Sequence, residues 1–147
     1  MKSNSNIPRK KKQPSKKTVK DKAWRWFSKY IRLRDALKTT GTSTHVKCIT
    51  CGKLLSVSFC DAGHFVSRRY NSTLFDERNV NTQCRYCNRF LDGNLLEYRR
   101  QLIRLYGEGI DTKLEDKATE ITKLTIEDLT NIEKEYKIKV ENLVEGE

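Results

Sequence analysis

From Asp21 onward apolar residues recur at helical spacing, as Ala23, Phe27, Tyr30, Ile31 and Leu37, with Arg25, Lys29, Arg32 and Arg34 between them. That period predicts an amphipathic basic helix. Trp24 and Trp26 on this helix read first as core residues and second as rings on which bases could stack. Gly41-Thr42-Ser43-Thr44 ends it, and two short extended segments follow, around Lys53 to Phe59 and Cys60 to Ser67, which are expected to pair as a hairpin. Asn94 with Glu97 makes a capping-box pattern for a helix with Leu95, Tyr98, Leu102 and Leu105 on one face and Gly107 at its C-terminal end. Thr125 with Asp128 opens a last helix whose stripe is Leu129, Ile132, Tyr136, Val140 and Leu143. The stripe is expected to pack on the body of the protein, with a dimer contact as the second reading. No internal repeat is present.

Residues 1 to 20 contrast with all of this: almost wholly polar, with two prolines, they bury too little to offset ordering. The expected organisation is a disordered basic arm over 1–22, a compact domain over 23–107 and a helical extension over 108–147. These three parts carry formal charges of +8, +9 and −6. A net charge of +11 draws a protein to polyanions, nucleic acid first, and the run Arg9-Lys10-Lys11-Lys12 suggests phosphate contact. No apolar stretch is long enough for a membrane span or placed like a secretory leader, so an integral membrane protein is excluded and secretion disfavoured. With 36% apolar and 33% charged residues in 147, the core must be small and in need of a brace.

Cysteine supplies one. Cys48-Ile49-Thr50-Cys51 and Cys84-Arg85-Tyr86-Cys87 are two CxxC pairs separated by 32 residues. Each pair can aim both sulfurs at one ion, and two pairs complete a tetrahedral thiolate site for zinc. A redox CxxC needs no second pair, and disulfides are disfavoured inside cells. Cys60 is left over as a buried thiol, although it or His45 could replace one ligand. The interval exceeds that of an ordinary zinc ribbon, so the zinc knot encloses a segment of its own.

That segment reads Asp61-Ala62-Gly63-His64-Phe65-Val66-Ser67-Arg68-Arg69, then Asn79-Val80-Asn81-Thr82-Gln83-Cys84-Arg85-Tyr86-Cys87-Asn88. Its order of acid, His, Asn, CxxC and Asn resembles the His-Asn-His (ββα-metal) nuclease motif in the form with a final Asn, as in phage endonuclease VII. Closer still is the phage lambda NinG family of recombination proteins, also called Rap, to which DAGHF, FDERNVNTQC and CNRFLDGNLLEYR are similar. The likeness runs from about Trp24 to Leu143. Members of that family carry a longer N-terminal region with additional cysteines, where this chain has a short basic arm.

The resemblance implies a zinc-braced α+β protein with a ββα-metal core that cleaves branched recombination intermediates, Holliday junctions or D-loops, in the host cytoplasm of a phage or prophage. Phosphodiester hydrolysis needs a base for the water, a divalent ion and a held phosphate. By resemblance His64 is the base, Asn88 ligates Mg²⁺, and Asn79 pins the loop beneath His64. Asp61 is the matching acid, although in the general motif the acid directly precedes the His. Here Gly63 holds that place, and a bulge at Gly63 is the expected device for turning Asp61 toward the metal, with Asp76 or Asp92 as substitutes. Arg68, Arg69, Arg85 and Arg89 lie where guanidinium forks could hold phosphate oxygens. Symmetric cutting implies a homodimer. The competing readings are a zinc-stabilised DNA-binding accessory without catalysis and a nicking or restriction-type nuclease of the same fold.

Overall fold

The computed structural model describes residues 6–146. It is a mixed α+β structure of five helices and two two-stranded antiparallel sheets among the described residues. Helix α1 (Lys16–Thr40) begins earlier than its apolar period suggested. Ser15 caps it, accepting from the Thr18 amide at 3.2 Å, and Val19 is buried with Ala23 against Leu129. The expected disordered arm over 1–22 is therefore too long: residues 16–22 are helical because a distant helix supplies their apolar cover. Residues 6–15 have no regular structure, and residues 1–5 of the predicted arm lie outside the described residues.

The expected hairpin does not form. Strand β1 (His45–Lys47) pairs with β2 (Leu54–Ser56), a tight turn at Val57–Phe59 intervenes, and β3 (Cys60–His64) pairs instead with β4 (Val80–Cys84). Two strands so close in sequence each found a partner across a longer loop. The β3–β4 register sets Asp61 opposite Gln83, Gly63 opposite Asn81 and His64 opposite Val80, without a bulge. Between these strands, the loop carries the single helical turn α2 (Asn71–Leu74).

Helix α1 covers one face of β3–β4 and makes polar bonds to β4. Asp35 accepts from the Thr82 amide at 2.8 Å, while Arg34 donates to the carbonyls of Glu77 and Val80 at 2.8 and 3.1 Å. These side chains satisfy backbone groups of β4 and its approach that have no strand partner on that side. Helix α3 (Leu95–Tyr106) attaches through fully buried Tyr98, whose hydroxyl donates to the Gly63 carbonyl at 2.7 Å. Tyr98 and Leu102 join Phe65, Ile110 and Leu114 in a second cluster that includes α4 (Ile110–Ala118). Leu95 and Leu105, expected on the same face of α3 as Tyr98 and Leu102, are partly exposed, at 47% and 38%. The Asn94–Glu97 capping box is also absent: Asn94 adopts a left-handed backbone at φ 49° and makes no side-chain cap bond, while Glu97 bonds Arg100 and Gln101.

Helix α5 (Ile126–Glu145) starts at Thr125 with both halves of a capping box in place. Its stripe lies along α1, where Tyr136 packs edge-on against Phe27 at 4.7 Å between centroids. The cores of the expected 23–107 domain and 108–147 extension are thus continuous. No helix of the described residues is long and apolar enough to cross a membrane.

Candidate metal centre and active-site pocket

The two CxxC pairs come from different corners. Cys48 to Cys51 form the turn between β1 and β2, where the Gly52 amide donates to the Cys48 carbonyl at 2.9 Å and Gly52 takes φ 75°. Cys84 ends β4 and Cys87 lies in a wide helical turn, Tyr86–Phe90. All four ligand sulfurs lie within 4.8 Å of one another, with Cys51 and Cys84 3.7 Å apart. A tetrahedral zinc with bonds of about 2.3 Å would separate its sulfurs by about 3.8 Å, so the set fits that ion. The Cys87 amide donates to the Cys84 sulfur at 3.3 Å, and the Asn94 side-chain amide donates to the Cys87 sulfur at 3.6 Å, so N–H groups surround the cluster as they do around metal-held sulfurs. The four cysteines could hold a structural zinc. Neither substitute ligand takes part: Cys60 is buried with Ala36 and Val46, its thiol pushed up to about 11 by burial, and His45 is exposed and bonds Thr44.

The same corner that carries Cys84 and Cys87 carries Asn88, so the brace and the adjacent pocket are built from one turn. Asn88 Nδ2 donates to Asp61 Oδ2 at 3.0 Å, and Arg89 holds both oxygens of Asp61 at 2.9 Å. Burial alone would raise the Asp61 pKa; the Arg89 and Asn88 bonds outweigh it and hold the carboxyl below its usual range. The expected bulge at Gly63 is not needed. Residue 61 stands on the same strand face as residue 63, one period of two earlier, and therefore keeps the side that the general motif gives its acid.

Asp61 and Asn88 line a cavity of about 490 Å³ together with Arg68, Arg85 and Arg89. Its other wall is a stripe of α1 at four-residue spacing, Trp24, Ser28 and Arg32. Sequence reading singled out neither Ser28 nor the role of Arg32; their spacing from Trp24 was the available signal. The carboxylate and the amide oxygen are hard donors of the kind Mg²⁺ takes, and turning the Asn88 amide over would present its oxygen. Arg89 presently supplies the positive charge beside Asp61.

His64 is not among the residues lining this cavity. Its ring stacks on Trp24, 5.0 Å between centroids, and Trp24 in turn lines the cavity with Arg68 5.5 Å above it. His64 Nε2 lies 3.1 Å from the Leu74 carbonyl oxygen, which can only accept, so Nε2 carries the proton and Nδ1 is the basic nitrogen. Burial, aided by the Arg68 charge and opposed by the Leu74 bond, pushes the imidazole down to about 4. Asn79, fully buried, accepts from the Val66 amide at 2.7 Å and donates to the carbonyls of Val66 and Thr73 at 3.0 and 3.1 Å, closing the loop below His64.

The remaining candidates stand apart. Arg69 lies over Tyr70 and does not line the cavity. Asp76 is held by Arg78 and Lys117, which overcome its burial and keep it ionised far into acid, and Asp92 is exposed in a left-handed turn; neither substitutes for Asp61. Sequence reading missed Gln83. It is fully buried, donates to Thr50 Oγ1 and the Gly93 carbonyl at 3.2 and 2.8 Å, and leaves Oε1 without a partner beside Gly63.

A family model described as Bacteriophage Lambda NinG protein matches residues 2–147. Protein ninG of Escherichia phage lambda is 37% identical over 97 residues, covering 65% of this chain and 47% of that protein. Protein ninG of Salmonella phage P22 matches to the same extent, 37% over 97 residues, and that of Enterobacteria phage H19B is 44% identical over 66 residues, 44% of this chain and 32% of that protein. The chain spans about half the length of the lambda and P22 relatives. No solved structure matches it.

Proposed function

The chain belongs to the NinG family, and from that membership together with the pocket we propose that it is a metal-dependent DNA endonuclease with a ββα-metal core, acting on branched DNA in phage recombination. The observation that carries this reading is the meeting of Asp61 and Asn88, 27 residues apart, in a cavity lined by four arginines. A nuclease needs a metal-binding acid, a second oxygen donor and cations for phosphate in one place. The antiparallel pair β3–β4 followed by the helical turn at residues 86–90 supports the ββα part of this reading.

In this reading Arg68 and Arg85 hold the non-bridging phosphate oxygens, while Asp61 and Asn88 would hold Mg²⁺. That ion, when bound, stabilises the charge that develops on the phosphate and the leaving 3′ oxygen. His64 Nδ1 takes the proton of the attacking water; the new bond joins water oxygen to phosphorus, the P–O3′ bond breaks, and the departing 3′ oxygen takes a proton from solvent water, leaving 5′-phosphate and 3′-hydroxyl ends. Asn79 orients the loop carrying His64 and does not react. The four thiolates fix the turn that carries Asn88 and Arg89. Two symmetric cuts require two such sites, so the reading includes a homodimer.

Two features favour a second reading, a binding protein without catalysis. Arg89 neutralises Asp61 and Trp24 lies against the His64 ring, the arrangement of a site closed to chemistry. The variant His64→Ala separates the two. An endonuclease loses Mg²⁺-dependent cleavage by a factor of about 100 or more while keeping its junction affinity. A wild-type protein that binds junctions and cuts neither junction nor duplex contradicts the proposal.

A further inference from the structure

Resting on the nucleic-acid reading above, we propose that Phe59, Tyr86 and Phe90 form a stacking surface for unpaired bases, so that the DNA partner presents unstacked nucleotides beside the arginine-lined cavity. Three aromatic rings stand in water next in sequence to residues that line the cavity: Phe59 is 63% exposed, Tyr86 62% and Phe90 77%. The fold buries Phe27 and Tyr98 completely, so the core elsewhere accommodates its rings. Tyr86 and Phe90 lie one helical turn apart and stack on each other at 6.0 Å and 25°. Arg85 stands 5.7 Å over the Phe59 ring and lines the cavity, while the flanking residues Ser58 and Cys60 line it too.

The turn at residues 85–90 therefore has two sides. Arg85, Asn88 and Arg89 face the cavity, and Tyr86 and Phe90 face solvent. Rings interleaved with guanidinium groups suit a strand whose phosphates follow the charges and whose bases meet the π faces. A second copy of the chain is the poorer occupant, because it would bring Arg85 and Arg89 against their own equivalents in a protein of charge +11. Paired duplex has no free base faces to offer. The surface thus selects DNA with bases already unstacked, as at a branch point.

The test compares Phe90→Ala and Tyr86→Ala/Phe90→Ala with wild type in Ca²⁺ instead of Mg²⁺, using a four-way junction with 2-aminopurine at the branch and a linear duplex of equal length. Phe90 lies outside the zinc ligand pairs, so the single variant remains informative if the double variant loses metal. The expected result is a junction affinity lowered by about tenfold, with the 2-aminopurine response abolished and duplex affinity changed by less than about twofold. Unchanged junction binding by both variants overturns the inference while leaving the nuclease reading standing. So does a wild-type dimer that the variants convert to monomer, which would make the rings a contact between copies. Wild-type protein that binds neither DNA overturns both.

Discussion

His64 is held neutral because its ring is enclosed between Trp24 and the loop that Asn79 closes, and its protonated form would lose solvation beside Arg68. Its folded pKa of about 4 lies below the ordinary value of 6.5, so the unfolded chain binds the proton more readily. Stability contributed by neutral His64 is therefore complete above pH 6.5 and is lost as pH falls from there through about 4. An NMR titration of the His64 imidazole should place its midpoint near 4; a midpoint near 6.5 would show an open ring. Gly63 makes a different demand: a Cβ there would lie 1.9 Å from Gln83 Oε1. Gly63→Ala should cost about 1–3 kcal/mol by thermal or denaturant unfolding, and less in a Gln83→Ala background. Asp61 and Asn88, which the fold brings together, were named from motif order alone, whereas the covering of His64 by Trp24 was not legible there. Nor was Gln83, since its meeting with Gly63 arises from the β3–β4 register and its tie to Thr50 from the packing of the Cys48–Cys51 turn on β4.

At the scale of elements, local signals succeeded where they were self-contained. Thr125 and Asp128 bond each other's backbone within one turn, so α5 was legible from four consecutive positions. The helix face of α1 was legible for the same reason, whereas its start at Lys16 depends on cover from Leu129, more than 100 residues away. Strand pairing failed because β2 and β3 are each so short that partner choice lies outside them: the turn carrying Cys48 and Cys51 joins β1 to β2, and the loop closed by Asn79 returns β4 to β3. Leu129 is fully buried against Val19 and Ala23 and so holds the two ends of the chain together. Leu129→Ala should destabilise the fold by about 2–5 kcal/mol. Hydrogen exchange should show the first turns of α1 opening with α5; protection at residues 16–22 that survives the substitution would contradict this coupling.

For the molecule as a whole, the sulfur cluster joins the tip of one strand pair to the corner of the other, and Asn88 follows its last ligand directly. One zinc per chain is expected by elemental analysis. Cys87→Ser should lose the ion together with cooperative unfolding, and Cys60→Ser should keep both. The basic body was legible from charge alone, and Arg68, Arg85 and Arg89 from their nearness in sequence to His64 and Asn88, but the addition of Arg32 was not, because helix α1 brings it from far along the chain. Raising salt should weaken DNA binding steeply through counterion release, and a flat response would remove phosphate contact from the account. The most direct test of the central claim incubates the purified, zinc-loaded chain with an end-labelled four-way junction in Mg²⁺ and, separately, in Ca²⁺. The account predicts discrete nicks near the branch with 5′-phosphate ends in Mg²⁺ alone, absent in Asp61→Ala and His64→Ala; an intact junction, bound but uncut by wild type, would contradict it.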